Sequence, residues 1–239
     1  MVVRVILGLM VVCVLAIAGL TAMVVFGGSG SGTGSGSGST SGSSSSVAGE
    51  AEAAANLSAR AAALAELQVP EFILVDQDGT MQNQTIFEDG FTVLTTVFTN
   101  CPFACPLIME QTVRVQDATE GTGLRFVSMS VDPEHDTPTV LKAFAERKGV
   151  DESRWRLLTG PKGTVQQLAE TGLKMYIGVD PDQMIPLADG TEMANVVHPT
   201  KLILIGPDRR VVDLFESGNA NDVDRLIRMA PTLRVPAGG

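Results

Sequence analysis

Apolar runs of strand length alternate with amphipathic segments of helix length between residues 69 and 230. The apolar, β-branched runs predict strands at residues 72–75, 91–98, 124–131, 154–159, 201–205 and 211–215. The segments with helical periodicity predict helices at residues 106–119, 138–148, 162–171 and 219–229. Strands that alternate with helices and end in a β-hairpin and a final helix are typical of one α/β domain.

The pattern is less regular before the strand at 201–205. Residues 173–179 are predicted to be extended. Residues 180–190 contain two prolines and an Asp-Gly turn signal, so we expect an irregular excursion or a hairpin there.

An apolar run without any charge occupies residues 5–26. At about 1.5 Å per helical residue, it is long enough to cross the roughly 30 Å hydrocarbon core of a membrane. We predict a transmembrane anchor at residues 1–26; a cleaved signal peptide is the alternative, because Ala16-Ile17-Ala18 resembles a cleavage site. Arg4 is the only charge before the run, so the positive-inside bias places the rest of the chain outside the cytoplasm, on the periplasmic side.

The composition of the remaining residues indicates a linker, a lead-in helix, a domain and a tail. Residues 27–46 are almost purely Gly and Ser, which predicts a flexible linker. Residues 47–68 are rich in Ala, Glu and Leu and predict a lead-in helix to the domain at 69–230. Residues 231–239 are expected to be a loose tail.

The net charge is −10 and the isoelectric point is near 4.6. Nucleic-acid-binding domains present a basic face, so this balance argues against nucleic acid as a partner.

Two of the three cysteines stand close together. Cys13 lies in the apolar N-terminal run, whereas Cys101 and Cys105 lie between the strand at 91–98 and the helix that Pro106 opens. The positive end of a helix dipole favours the thiolate, which is both the metal-binding and the nucleophilic form of cysteine. A small secreted fold stapled by disulfides would need more cysteines, so this pair is predicted to be functional.

His198 is the second candidate for chemistry. It precedes the strand at 201–205, and a central strand of an α/β sheet can deliver it beside the cysteine loop. Two thiolates and an imidazole suit Cu(I), with Cu(II) and Zn(II) as alternatives. A histidine that is simply hydrogen-bonded at the start of a strand is the other interpretation.

Three motifs in this order resemble the Sco family. They are Thr-Asn-Cys-Pro-Phe-Ala-Cys-Pro at 99–106, Ser-Val-Asp-Pro-Glu-His-Asp-Thr-Pro at 130–138, and His198 before an apolar strand followed by Gly-Pro-Asp. That family consists of membrane-tethered, thioredoxin-fold copper proteins that help to assemble the copper centre of cytochrome c oxidase. The resemblance implies a central mixed sheet flanked by helices. It also implies one copper ion bound by Cys101, Cys105 and His198, and the copper-bearing oxidase subunit as partner.

The sequence departs from the family pattern in two places. Phe103 stands where the family usually has an acidic or polar residue, and His198 is flanked by Val197 and Pro199 instead of Asp and Ser or Thr. His-Pro-Thr resembles the cis-proline loop of thioredoxins, so we predict a cis peptide between His198 and Pro199. This departure favours thiol–disulfide exchange more than the family pattern alone does.

The acidic loop of the second motif has two interpretations. Asp132 and Asp136 match family positions that could contact a partner. Alternatively, Asp132-Pro133 is a turn and Asp136 or Thr137 caps the helix that Pro138 begins. His135, between them, is expected at the surface.

The leading hypothesis is a membrane-tethered copper metallochaperone, with a thioredoxin-like protein as a further partner that reduces its cysteines. The alternative is a thiol–disulfide oxidoreductase that uses Cys101 and Cys105 and does not need His198. A peroxidase-like thiol enzyme is less well supported, because nothing near Cys101 in the sequence supplies an additional cation.

Overall fold

Nine strands are present in the computed structural model, which describes residues 44–234. They are β1 (Ile73–Asp76), β2 (Met81–Asn83), β3 (Thr92–Val97), β4 (Arg125–Ser130), β5 (Trp155–Thr159), β6 (Gly178–Pro186), β7 (Glu192–Val197), β8 (Lys201–Ile205) and β9 (Val211–Glu216). The helices are α1 (Ser44–Ala65), α2 (Cys105–Ala118), α3 (Pro138–Lys148), α4 (Thr164–Gly172) and α5 (Ala220–Met229). Single 3₁₀ turns occur at Gln84–Phe87 and Ala230–Thr232.

Seven of the strands form one mixed sheet in the order β2-β1-β5-β4-β3-β8-β9. β3, β4 and β5 are parallel, and α2 and α3 provide the crossovers that parallel neighbours require. β8 pairs antiparallel with β3, and β9 pairs antiparallel with β8 as the predicted hairpin. The carboxyl end of β3 is therefore central, between β4 and the start of β8.

The two faces of the sheet carry separate apolar clusters. Val93 and Val97 of β3 pack with α2, α3 and α5 on one face, and both cysteines belong to that cluster. Leu94, between them in sequence, packs with α4 and the first 3₁₀ turn on the other face. This alternation follows from the two-residue period of a strand. It places the cysteine loop at the edge of a helix-covered face.

The predicted strands and helices between residues 72 and 229 are confirmed, each within two residues of its expected bounds. For the segment before β8, the hairpin alternative is confirmed. β6 and β7 form a separate two-stranded antiparallel hairpin, with an irregular register between Asp180 and Met184. Prolines are tolerated in a strand whose outer edge is unpaired or bulged, which is why a proline-containing segment forms a strand here.

The predicted anchor at 1–26, most of the linker at 27–46 and the end of the tail lie outside the described residues. Within residues 44–234, no helix is both long and apolar enough to span a membrane. The chain divides into two units, residues 1–48 and residues 49–239, and almost all of the first unit lies outside the described part. The predicted lead-in helix is found as α1, shifted three residues toward the N-terminus.

Candidate metal centre

The two cysteines lie where β3 ends and α2 begins. Cys101 closes a turn in which its backbone N–H donates to the carbonyl of Phe98 at 3.3 Å. Cys105 is the first residue of α2, and Pro106 follows in its first turn, where a missing N–H costs nothing. Both are buried free thiols. The predicted strand–loop–helix setting of the pair is thus confirmed.

His198 reaches this loop from the segment between β7 and β8. Its Nε2 lies 3.3 Å from Cys105 Sγ, and its ligand nitrogen and the two sulfurs all lie within 4.8 Å of one another. His198 is buried like the cysteines. The structure therefore brings together three side chains that are separated by up to 97 positions in the sequence.

The environment gives the two thiols different acidities. A hydrogen bond from the Cys105 thiol, with smaller contributions from the backbone N–H groups of Cys105 and Phe103, lowers the pKa of Cys101 to about 4. The same contact with Cys101, together with burial, raises the pKa of Cys105 above its ordinary value. Cys101 is thus the first thiolate of the pair, and Cys105 is the thiol that stabilises it.

Contacts on the far side of its ring hold His198 in place. Nδ1 lies 3.1 Å from Thr96 Oγ1 and 3.1 Å from the carbonyl oxygen of Pro199. The ring of Phe98 meets the imidazole edge to face at 5.7 Å between centroids. Nε2 is therefore the nitrogen that faces the sulfurs.

The prediction of a cis peptide at His198–Pro199 is wrong. This bond is trans, as is every other peptide bond in the described residues. The trans isomer is intrinsically favoured before proline, and in this form the Pro199 carbonyl accepts a 3.0 Å hydrogen bond from the Thr96 hydroxyl.

Asp136 anchors the cysteine loop. Its carboxylate accepts hydrogen bonds from the backbone N–H and hydroxyl of Thr99 and from the hydroxyl of Ser130. It is completely buried, and this burial raises the pKa of its carboxyl. Thr137, not Asp136, is the N-cap of α3. The capping interpretation is therefore confirmed through Thr137, and the buried Asp136 is not available for direct contact with a partner.

Asp132 and His135 form a separate pair on the same loop. His135 Nδ1 lies 2.8 Å from the Asp132 carboxylate, and the histidine side chain is 38% exposed, as expected for a surface residue. Both line a cleft of about 470 Å³ that is bounded by neither cysteine nor His198. The Asp132–His135 pair is thus distinct from the candidate metal centre.

The sequence did not reveal the contacts that Thr96 and Asp136 make at this site. Most buried threonines have a hydrogen-bond partner, and the position of Thr96 in a strand that was predicted to be buried was the available signal. The identity of the partner depends on which loop packs beside β3. For Asp136, the motif was recognised and contains the Ser130 donor, but the Thr99 donors lie in another loop.

The donor set fits a soft metal ion. Bonds of about 2.3 Å to sulfur and 2.0 Å to nitrogen place ligand atoms about 4 Å apart around a shared ion. The three donors can reach that separation with small side-chain movements. Two thiolates and one imidazole favour Cu(I) over hard cations that prefer oxygen.

The sequence comparisons agree with this geometry. A model of the SCO1/SenC family matches residues 60–229. The SCO1 protein homolog of Bacillus subtilis (strain 168) is 27% identical over 172 residues, which cover 70% of this chain and 84% of that protein.

Solved structures share the fold. BsSco, described as a member of the Sco family of cytochrome c oxidase assembly proteins with a disulfide switch, has a TM-score of 0.57 at 25% identity. That match covers 71% of this chain and 96% of BsSco. Yeast Sco1 with copper bound has a TM-score of 0.57 at 22% identity, over 72% of this chain and 92% of that one. The mixed sheet and its flanking helices therefore have the thioredoxin-like fold, as predicted.

Proposed function

Because the chain belongs to the SCO1/SenC family, we propose that it is a copper-binding metallochaperone that assists assembly of the copper centre of cytochrome c oxidase. Copper is its cargo, and Cys101, Cys105 and His198 are the residues that hold it. The receiving protein is the copper-bearing subunit of the oxidase.

The convergence of the two cysteines and His198 is the observation that carries this proposal. The three donor atoms lie within 4.8 Å of one another in a buried setting, and all three are soft or borderline ligands. Yeast Sco1, which shares the fold, has been solved with copper bound.

Copper loading depends on the redox state of the cysteines. Thiolates bind the metal and a disulfide does not, so the pair must be reduced before it takes up cargo. A thioredoxin-like reductant is the partner that this requirement implies. The low pKa of Cys101 means that one ligand is already deprotonated near neutral pH, so binding needs to displace fewer protons.

The proposed location follows from the N-terminal sequence. Residues 1–26 anchor the chain in the membrane, and residues 27–46 tether the domain at 69–230 on the periplasmic side. A Gly/Ser segment of this length has a reach on the order of 25 Å, enough for the domain to meet a membrane-bound oxidase subunit.

Copper stoichiometry and affinity of the reduced full chain test the proposal. The expected result is one tightly bound Cu(I) per chain, strongly weakened by His198→Ala. The matched control is His135→Ala, which removes the only other histidine and should leave the affinity unchanged. Equal affinities for the wild type and His198→Ala would overturn the ligand assignment.

A second function is favoured by the unequal acidities of the cysteines. In thiol–disulfide exchange, the Cys101 thiolate would attack a partner disulfide and release one partner thiolate. Cys105 would then displace the second partner sulfur, so that two electrons pass to the partner and a Cys101–Cys105 disulfide remains. His198→Ala should leave this exchange largely intact. An exchange-competent wild type without tight copper binding would make the oxidoreductase the primary function.

A further inference from the structure

Thr96 occupies a position from which it can decide which nitrogen of His198 carries a proton. It lies near the carboxyl end of β3 and is almost fully buried. β3 pairs with β8 as far as Leu94 and Ile203, so Thr96 lies two residues further along, beside the lead-in to β8. That lead-in contains His198.

The sequence neighbours of His198 cannot orient its ring with their side chains. Val197 and Pro199 have hydrocarbon side chains that neither donate nor accept hydrogen bonds. The contacts to Nδ1 come instead from the Thr96 hydroxyl oxygen and the Pro199 carbonyl oxygen, each at 3.1 Å.

The hydrogen-bond partners of Nδ1 favour one tautomer. A carbonyl oxygen can only accept, so the contact between Nδ1 and the Pro199 carbonyl is a hydrogen bond only when Nδ1 carries the proton. The Thr96 hydroxyl donates its own proton to that carbonyl at 3.0 Å, which leaves a lone pair on Oγ1 to accept from Nδ1–H. The opposite tautomer would place the Nδ1 lone pair against the carbonyl oxygen and an N–H where copper would bind.

We infer that Thr96 is a positioning residue that holds His198 as the Nδ1–H tautomer and thereby keeps the Nε2 lone pair directed toward Cys101 and Cys105. This inference adds a residue to the proposed copper site, and it rests on the proposed function. In a histidine that binds a metal, the other ring nitrogen usually has a hydrogen-bond partner. Removing that partner typically changes the metal affinity 10–100-fold.

The same strand offers a matched control. Thr92 lies four residues earlier on the same face of β3, and it is fully buried. Among the described residues, its hydroxyl oxygen is the buried side-chain polar atom that has no hydrogen-bond partner. Thr92→Val and Thr96→Val therefore make the same chemical change in one strand, but only the second removes a contact to His198.

The experiment combines two measurements on the reduced full chain labelled with ¹⁵N-histidine. Imidazole nitrogen shifts in the metal-free protein at pH 8 report the tautomer of His198, with His135 as the internal reference. Competition titration measures Cu(I) affinity. In Thr96→Val we expect a mixture of tautomers and an affinity at least tenfold weaker. Thr96→Ser and Thr92→Val should match the wild type in both measurements.

Two results would overturn the inference. One is a wild-type His198 in the Nε2–H form. The other is a Thr96→Val protein with the tautomer and Cu(I) affinity of Thr92→Val. A wild type that binds no copper, but whose His198 tautomer still changes in Thr96→Val, would remove the proposed function and support the positioning role. Thr96→Ser keeps the hydroxyl but lacks the methyl group, so it separates the effect of lost packing from the effect of the lost hydrogen bond.

Discussion

Asp136 accepts hydrogen bonds from both the backbone N–H and the hydroxyl of Thr99, two residues before Cys101. Ser130 at the end of β4 donates to the same carboxylate at 2.6 Å. A completely buried side chain thus ties the cysteine loop to the neighbouring parallel strand. This contact joins the loop that carries Cys101 and Cys105 to the central sheet.

Replacing Asp136 with alanine should destabilise the fold. The change leaves the Thr99 and Ser130 donors without their acceptor in a buried setting, and we expect the free energy of unfolding to fall by about 2–3 kcal/mol. Urea denaturation of the reduced protein measures this loss. Glu134→Ala is the control in the same loop, because Glu134 makes only an exposed ion pair with Lys162 and should change stability by less than about 0.5 kcal/mol. Equal stabilities for the two variants would contradict the anchoring role.

Cys101 should react as a thiolate at pH values where an ordinary thiol does not. With a pKa of about 4, its alkylation rate by iodoacetamide should be nearly constant between pH 6 and 8. The rate for an unperturbed thiol rises about tenfold per pH unit over that range. Mass spectrometry after partial alkylation should place the label on Cys101 and not on Cys105.

Cys105→Ala provides the control for that profile. The hydrogen bond from Cys105 is the largest cause of the low pKa of Cys101, so its removal should raise the pKa and make the alkylation rate increase with pH. A flat profile in Cys105→Ala would show that another group stabilises the thiolate.

His135 should titrate above the usual pKa of histidine. Its hydrogen bond to Asp132 raises the pKa above 6.5, and charges on Asp132, Asp136 and Glu134 act in the same direction. NMR titration can follow it separately from His198, since the chain has two histidines. Asp132→Asn should return the pKa toward 6.5.

The linked effect on stability has a defined sign. The folded state holds the His135 proton more tightly than the unfolded state, so the stabilisation is fully present below the unfolded pKa of about 6.5. It is lost as the pH rises through the higher folded value. The stability difference between wild type and Asp132→Asn should therefore be larger at pH 5.5 than at pH 8.5. A difference that grows with pH would exclude the ion pair as its cause.

Gly172 at the end of α4 should not tolerate a side chain. A Cβ there would lie 2.4 Å from the carbonyl oxygen of Gln68 and 2.5 Å from the ring of Pro70. We expect Gly172→Ala to cost about 1–3 kcal/mol of unfolding free energy, measured by urea denaturation. Gly218→Ala is the matched control, because a Cβ at Gly218 has nothing within 4 Å and its backbone is not left-handed. Similar losses in both variants would mean that Gly172 does not pack as described.

Local signals accounted for most elements of the fold. Pro138 and the cap at Thr137 predicted α3 with its observed bounds, because capping depends on residues within one turn. The β6–β7 hairpin was predicted only as one of two alternatives, because its prolines argue against strand structure unless the segment lies at an edge. That condition is a property of the tertiary arrangement.

The chemistry of the site divides in the same way. The spacing of Cys101 and Cys105, the helix that follows them, and the position of His198 before a central strand were readable along the chain. The trans peptide at Pro199, the contact of Thr96 with Nδ1 and the anchoring of Thr99 by Asp136 were not. Each depends on which segments pack side by side, and hydrogen bonds between groups that are distant in sequence exist only after the sheet has brought their loops together.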